Sequence, residues 1–508
     1  MSTLLFSESK KCAAQRAISV RSANVPWSLR FARLILAMLA VVGAENSLGT
    51  TYYVAKNGND SNPGTTALPW LTIQKAADTL VAGDTVYIKA GTYKEVVTPQ
   101  NSGAPPAQYI TYMSYGSDSV ILDGENLRPP GDPRWGGLVQ MYGKRYLKFK
   151  GLRAINSRYA GFLADEHCDH VTFEANSTSG TWSSGISAWN CSNIIIDGND
   201  IRRACQGDGD LQECLTVSNT DTFEIKNNHV YDRPVGAVGG GGEGICSKDA
   251  NRNGKIFANH VHDMALLGIY VDAWGSHEDG IEVYNNIVHD ALEGISITDE
   301  INTGSLTNVR VFNNIVYNNR VNGIVISDNV GGLPTGDGPK QNITIINNTV
   351  FHNGYGLAGW GGGITIVTKN PASNNLVVRN NICSQNSAWQ IMRSCVIESR
   401  TTVEYNLLDG TNDYDDGSDR ATSGTSSRSG SPRFVNAASD DFRLQAGSPA
   451  IDAGSATAAP LMDYAGNQRP RDGDGNGSAL FDIGAYEYQR PLAGVRFWKE
   501  YKIEGVAK

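Results

Sequence analysis

Long hydrophobic runs are missing from this sequence. No apolar stretch among its 508 residues approaches the roughly 18 that a membrane-spanning helix requires. A basic excess is missing too. Lys and Arg number 43 against 52 Asp and Glu, a net charge of −9, and phosphate backbones demand a basic face, so nucleic acid is excluded as a partner. Charge of either sign is modest at 19%, while hydrophobic residues make up 40%, a globular balance and not a disordered one. Seven cysteines lie beyond residue 44: Cys168, Cys191, Cys205, Cys214, Cys246, Cys383 and Cys395. An odd number leaves one unpaired, so this is no disulfide scaffold. Neither a CxxC pair nor a His-x3–5-His spacing occurs, so a structural zinc is not expected. Glycine, by contrast, is abundant at 56 of 508 residues, above the usual ~7%, which points to a chain rich in turns.

Residues 1–44 read as an export signal. Arg30 and Arg33 precede the apolar run Leu34 to Ala44, with small residues Val42 and Ala44 at −3 and −1 of a cleavage site. The expected location is therefore secreted or cell-surface, and the chain is expected to act as a monomer.

A repeat dominates the remainder. FEIKNNHVYD (223–232), KIFANHVHD (255–263), IEVYNNIVHD (281–290), VRVFNNIVYNN (309–319) and ITIINNTVFHN (343–353) align under one another. Each is a β-branched alternation followed by Asn and another apolar residue, a strand pattern. The Asn column runs Asn199, Asn228, Asn259, Asn286, Asn314, Asn348, Asn381 and Asn406, a step of roughly 30 residues. A second strand follows each, opened by Gly185-Ile186, Gly244-Ile245, Gly268-Ile269, Gly294-Ile295, Gly323-Ile324 and Gly363-Ile364. Units that cannot bury an apolar face alone must stack, and the pattern predicts an all-β, right-handed parallel β-helix over 45–435. The Asn column is expected at a tight turn with left-handed backbone, its amides stacked coil over coil. Thr72 to Leu80 is expected to be a short amphipathic helix capping the open end, with Ile73, Ala76, Ala77 and Leu80 on one face. Residues 410–432 read as a polar linker or loop, 436–490 as a small C-terminal capping module, and 491–508 as a tail.

The segment TYYVAKNGNDSNPGTTALPWLTIQKAADTLVAGDTVYIKAGTYKE (51–95) resembles the opening of many secreted right-handed parallel β-helix proteins. FRLQAGSPAIDAG (442–454) and DIGAYEYQ (482–489) resemble a C-terminal module of secreted bacterial proteins with that fold. The fold hosts several chemistries, so function must be argued from a site.

Aligning the coils on Gly-Ile places Trp189, Lys248, Asp272, Thr298 and Ser327 in one column. Glu243 and Glu293 precede their glycines. Neighbouring coils lie ~4.8 Å apart, close to the ~5–5.5 Å separating the carboxyls of a retaining glycosidase. GIYVDAW (268–274) resembles the nucleophile strand of a β-xylosidase family with this fold. The resemblance implies Asp272 as nucleophile of a retaining glycoside hydrolase, with Glu243 or Glu300 as acid/base. Asp299 and Glu300 stand one and two positions off the Asp272 column. Trp274 is the expected sugar platform, and Glu213, Trp189 and His277 are further candidates for binding a poly- or oligosaccharide; this reading needs no cofactor. A second resemblance leads elsewhere. Asp208, Asp210 and Glu213 followed by Lys248 resemble the calcium acids and lysine base of parallel β-helix pectate lyases, implying calcium-dependent β-elimination on a uronate polymer. A non-catalytic carbohydrate-binding or adhesin solenoid is the third reading. His260, His262 and His289 follow the strand pattern and read as turn or solvent residues. Asp472, Asp474 and Asn476 match the start of a calcium loop. Cys168 and Cys191 are expected to be stacked neighbours, compatible with a disulfide or with reduced thiols.

Overall fold

The β-branched alternations fold as strands, each pairing in parallel with its counterpart one coil later. In the computed structural model the residues described are 49–125, 127, 135–207, 212–233, 241–299, 303–327, 338–357 and 359–491, with backbone also at 329–330 and 333–334. The expected leader 1–44 and the tail beyond 491 lie outside them. Among the described residues three sheets of fourteen, thirteen and eleven strands run the length of a right-handed parallel β-helix. One coil shows the path. Asp221–Lys226 lies in the first sheet, His229–Arg233 in the second, Ile245–Lys248 in the third, and Arg252–Phe257 returns to the first.

Inward positions build one continuous core from Val54 to Leu408. Ile186, Leu215, Ile245, Ile269, Ile295, Ile324, Ile364 and Ile391 form a single register column in the third sheet. Opposite them stand Val230, Val261, Val288, Val316 and Val350 in the second. Glycine precedes each of these isoleucines except Ile391, which follows Gln390, and a Cβ on those glycines would meet neighbouring atoms. A Cβ at Gly268 would stand 2.3 Å from Val288 Cγ1 and 2.7 Å from the Gly294 carbonyl.

The Asn column forms as one ladder and extends to Asn176. Each Nδ2 donates to the next Oδ1 at 2.9–3.2 Å, from Asn176 through Asn199, Asn228, Asn259, Asn286, Asn314, Asn348 and Asn381 to Asn406. One expectation is corrected. The left-handed residue is the one before each ladder Asn, as at Asn227, Ala258, Asn285, Asn313 and Asn347. The ladder Asn instead faces inward, where its amide satisfies buried backbone of neighbouring coils.

Thr72 caps the helix Ile73–Thr79 by accepting from the Lys75 N–H, and Ile73, Ala76, Ala77 and Leu80 join the core. Residues 410–432 are not a bare linker. Asp419–Ala421 pairs antiparallel with Trp389–Ser394, and Arg428–Ser429 extends the second sheet, so late strand edges find partners. The C-terminal segment packs on the outer face of the second sheet. Phe442 and Ala485 cover Ile315 and Tyr317, while Leu444, Ala450 and Ile483 cover Ile382 and Leu407. Cys168 and Cys191 are unbridged neighbours on consecutive coils, adjoining the register pair Asp169 and Ser192.

Candidate active site on the third sheet

The outer face of the third sheet carries the expected column, with one member the Gly-Ile alignment misses. Trp189, Ser218, Lys248, Asp272, Thr298 and Ser327 are successive register partners. Ser218 escapes the sequence alignment because its coil opens with Cys214-Leu215 in place of Gly-Ile.

Lys248 and Glu213 meet at 2.7 Å, and both are shielded from water, with 15% and 3% of their side chains exposed. The other Glu213 oxygen accepts from Thr216 Oγ1 at 2.8 Å. Burial pushes Lys248 down, but Glu213, Cys246 and Asp272 outweigh it and hold the ammonium up. Trp274 closes over this pair. The Lys248 Nζ stands 5.3 Å from its ring centroid, a cation–π contact, while Trp274 as a residue remains 42% exposed. Asp272, one coil beyond Lys248, is fully buried, and its Oδ1 accepts from the Trp274 N–H at 2.7 Å. That bond helps fix Trp274 in a left-handed backbone conformation, φ 48°.

Between these groups lie residues that the sequence alignment passes over. Cys246 and Tyr270 sit two positions before Lys248 and Asp272, on the same outward face, and form a buried patch with Leu267. Burial, Glu213, Asp272 and Glu243 all push the Cys246 thiol up, against Lys248. Period-two alternation could have found both residues, since positions two apart share a face.

Glu243 is buried beside this group, and its carbonyl accepts from the Cys214 N–H at 2.8 Å. Trp189 is half-buried at the column's start, edge-on to Trp135 with centroids 5.5 Å apart. His277 is exposed on the first sheet, past the turn that carries Trp274, and bonds Ser305 Oγ at 2.7 Å. Asp299 is no free acid. It is fully buried against the Lys340 ammonium, and the Gly338 N–H donates to it at 2.6 Å. Glu300, Asp208 and Asp210 lie outside the described residues.

The C-terminal acids also gather. One carboxylate oxygen of each of Asp452, Asp472 and Asp474 lies within 4.8 Å of the others. The loop closes on itself. Asp472 accepts from the Gly475 and Gly477 N–H groups, and the Asn476 amide donates to Asp474.

Residues 52–394 match the family described as Pel9A-like, right handed beta helix region. The chain is 27% identical over 452 residues to "Uncharacterized protein YwoF" of Bacillus subtilis (strain 168), across 80% of this chain and 93% of that protein. It is 31% identical over 163 residues to "Pectate lyase PEL9" of Emericella nidulans, across 29% of this chain and 38% of that one. The crystal structure of pectate lyase Pel9A superposes with a TM-score of 0.51 at 15% identity, covering 87% of this chain and 97% of that one. With the matched region spanning the coils that build the column, the chain belongs to the Pel9A-like right-handed β-helix family.

Proposed function

We propose that this protein is a secreted polysaccharide lyase that cleaves a uronate polymer by β-elimination, with Lys248 as the base. The observation that carries the reading is the Glu213–Lys248 pair at 2.7 Å under an exposed tryptophan, on the outer face of a solenoid. Names among the relatives and fold neighbours include pectate lyases, which agrees with this choice.

The donor set suits a hard divalent cation. Glu213 offers carboxylate oxygen on the site face, and the sequence supplies Asp208 and Asp210 a few residues before it. A calcium ion held by these acids would draw charge from the substrate carboxylate and make the adjacent C5 proton more acidic. The remaining work falls to the chain's own side chains. Engaging Glu213 elsewhere would remove the largest attraction that holds the Lys248 ammonium up and leave burial to work toward the neutral amine against Cys246 and Asp272. The amine takes the C5 proton, the C5–H electron pair becomes the C4=C5 double bond, and the C4–O bond breaks. The departing oxygen leaves with a proton from solvent. Trp274 offers an apolar platform for the sugar ring beside the base, and Asp272 holds that platform through its backbone N–H.

One observation favours hydrolysis as a second reading. Glu243 and Asp272 both approach Cys246, so two carboxyls share the site. Against it, the proposed nucleophile Asp272 has no exposed surface.

The test is incubation with a panel of uronate and neutral polysaccharides, with calcium and then with chelator, reading the ultraviolet absorbance of unsaturated uronate. Absorbance that needs calcium, and that falls about 10²–10⁴-fold in a Lys248→Gln variant that still unfolds cooperatively, supports the lyase. Reducing ends without absorbance, lost in Asp272→Asn, would establish hydrolysis instead. Binding without any product would identify a carbohydrate-binding solenoid.

A further inference from the structure

Four histidines that this chemistry does not use come together on the outer face of the second sheet. His229 and His260 are register partners on consecutive coils, and His262 and His289 are partners in the next outward column. For His260, His262 and His289 this corrects the expectation of turn or solvent residues. The Nε2 atoms of His229 and His262 stand 2.7 Å apart, and those of His260 and His289 stand 2.9 Å apart. One ring nitrogen from each of His229, His260 and His262 lies within 4.8 Å of the others. All four rings are half-buried, fixed by packing yet open to a solute.

Their outer nitrogens are held by acids. His262 Nδ1 meets Asp263 Oδ2 at 2.7 Å, His289 Nδ1 meets Asp290 Oδ2 at 2.6 Å, and His229 Nδ1 lies 3.5 Å from Asp200 Oδ2. An imidazole that donates its Nδ1–H to a carboxylate carries its lone pair on Nε2. His229 and His262 therefore aim two lone pairs at each other, which repel unless a proton or a metal ion stands between them.

We infer that His229, His260 and His262, with His289 on the following coil, form a binding site for a late first-row divalent cation such as zinc, nickel or copper. Imidazole nitrogen suits these metals over calcium or magnesium. Metal–nitrogen bonds of about 2.0–2.1 Å place two ligands at a right angle about 2.9 Å apart, near the separations of the two pairs. The Nδ1 carboxylates are the outer shell that orients histidine ligands at metal centres. The site is separate from the third-sheet column and from the calcium-type oxygen donors there.

The test uses the full chain, stripped with chelator and dialysed against zinc. The wild type is expected to retain zinc bound through imidazole nitrogen in its X-ray absorption spectrum. The variant His229→Gln/His262→Gln is expected to lose that zinc, and Asp263→Asn to weaken its binding about 10–100-fold. Wild-type protein that retains no zinc would overturn the proposal. So would zinc bound through oxygen alone, the signature of the Asp452, Asp472 and Asp474 cluster, and that spectrum needs no variant to fold.

Discussion

Glu213 and Lys248 hold each other in place where neither reaches much water. Removing one partner of such a pair costs about 3–5 kcal/mol, because a charge is left buried. This is why Lys248→Gln, which keeps a polar group beside Glu213, is the informative variant. A second buried acid on the same sheet makes a separate prediction. Burial raises Glu293 to about 7 from an ordinary 4.5, although the Asn322 amide donates to it at 3.1 Å and works the other way. The folded chain keeps this proton after the unfolded chain has lost it. The associated stability is therefore full below about pH 4.5, falls as pH rises to about 7, and stays lost above, a swing of roughly 3 kcal/mol. Urea unfolding of the wild type and Glu293→Gln across that range checks this. The difference between them should shift by that amount in favour of the variant at the higher pH, and parallel curves would contradict it.

At the scale of the element, a coil is set by what fits between the second and third sheets. Gly268→Ala would drive a Cβ into Val288 and the Gly294 carbonyl, overpacking that costs typically 1–3 kcal/mol. Val288→Ala should relieve part of it. Thermal unfolding of both singles and the double variant should then show coupling of about 0.5 kcal/mol or more, whereas strict additivity would contradict the contact. Much of this element was legible. Lys248, Asp272, Thr298 and Ser327 align because Gly-Ile marks the strand start in each of their coils. Ser218 was hidden because its coil lacks that mark. The spacing of Cys246 and Tyr270 from Lys248 and Asp272 puts them on the outward face, but only the fold shows that this face is covered around them. The histidine cluster was illegible for a deeper reason. Ligand spacing is read along the chain, whereas these rings meet diagonally across coils, with His229 and His262 separated by 33 residues.

At the scale of the whole molecule, a net charge of −9 repels a polyanionic substrate unless a local cation reverses the field. On the proposed reading, a cation beside Glu213 would do this at the face where Lys248 and Trp274 stand on consecutive coils. The solenoid and the Asn ladder could be read from the repeat, because a structural column repeats at every coil. A choice between elimination and hydrolysis could not, because the candidate residues occur once each and their surroundings depend on where the coils bring them. No helix among the described residues is long and apolar enough to cross a membrane. The central claim, cleavage by elimination with no water added, is tested most directly by the mass of the products formed from a uronate polymer in heavy-oxygen water. The account predicts products one water lighter than hydrolysis would give, carrying no label at the cleaved bond. Saturated products with a labelled oxygen at the new end would contradict it.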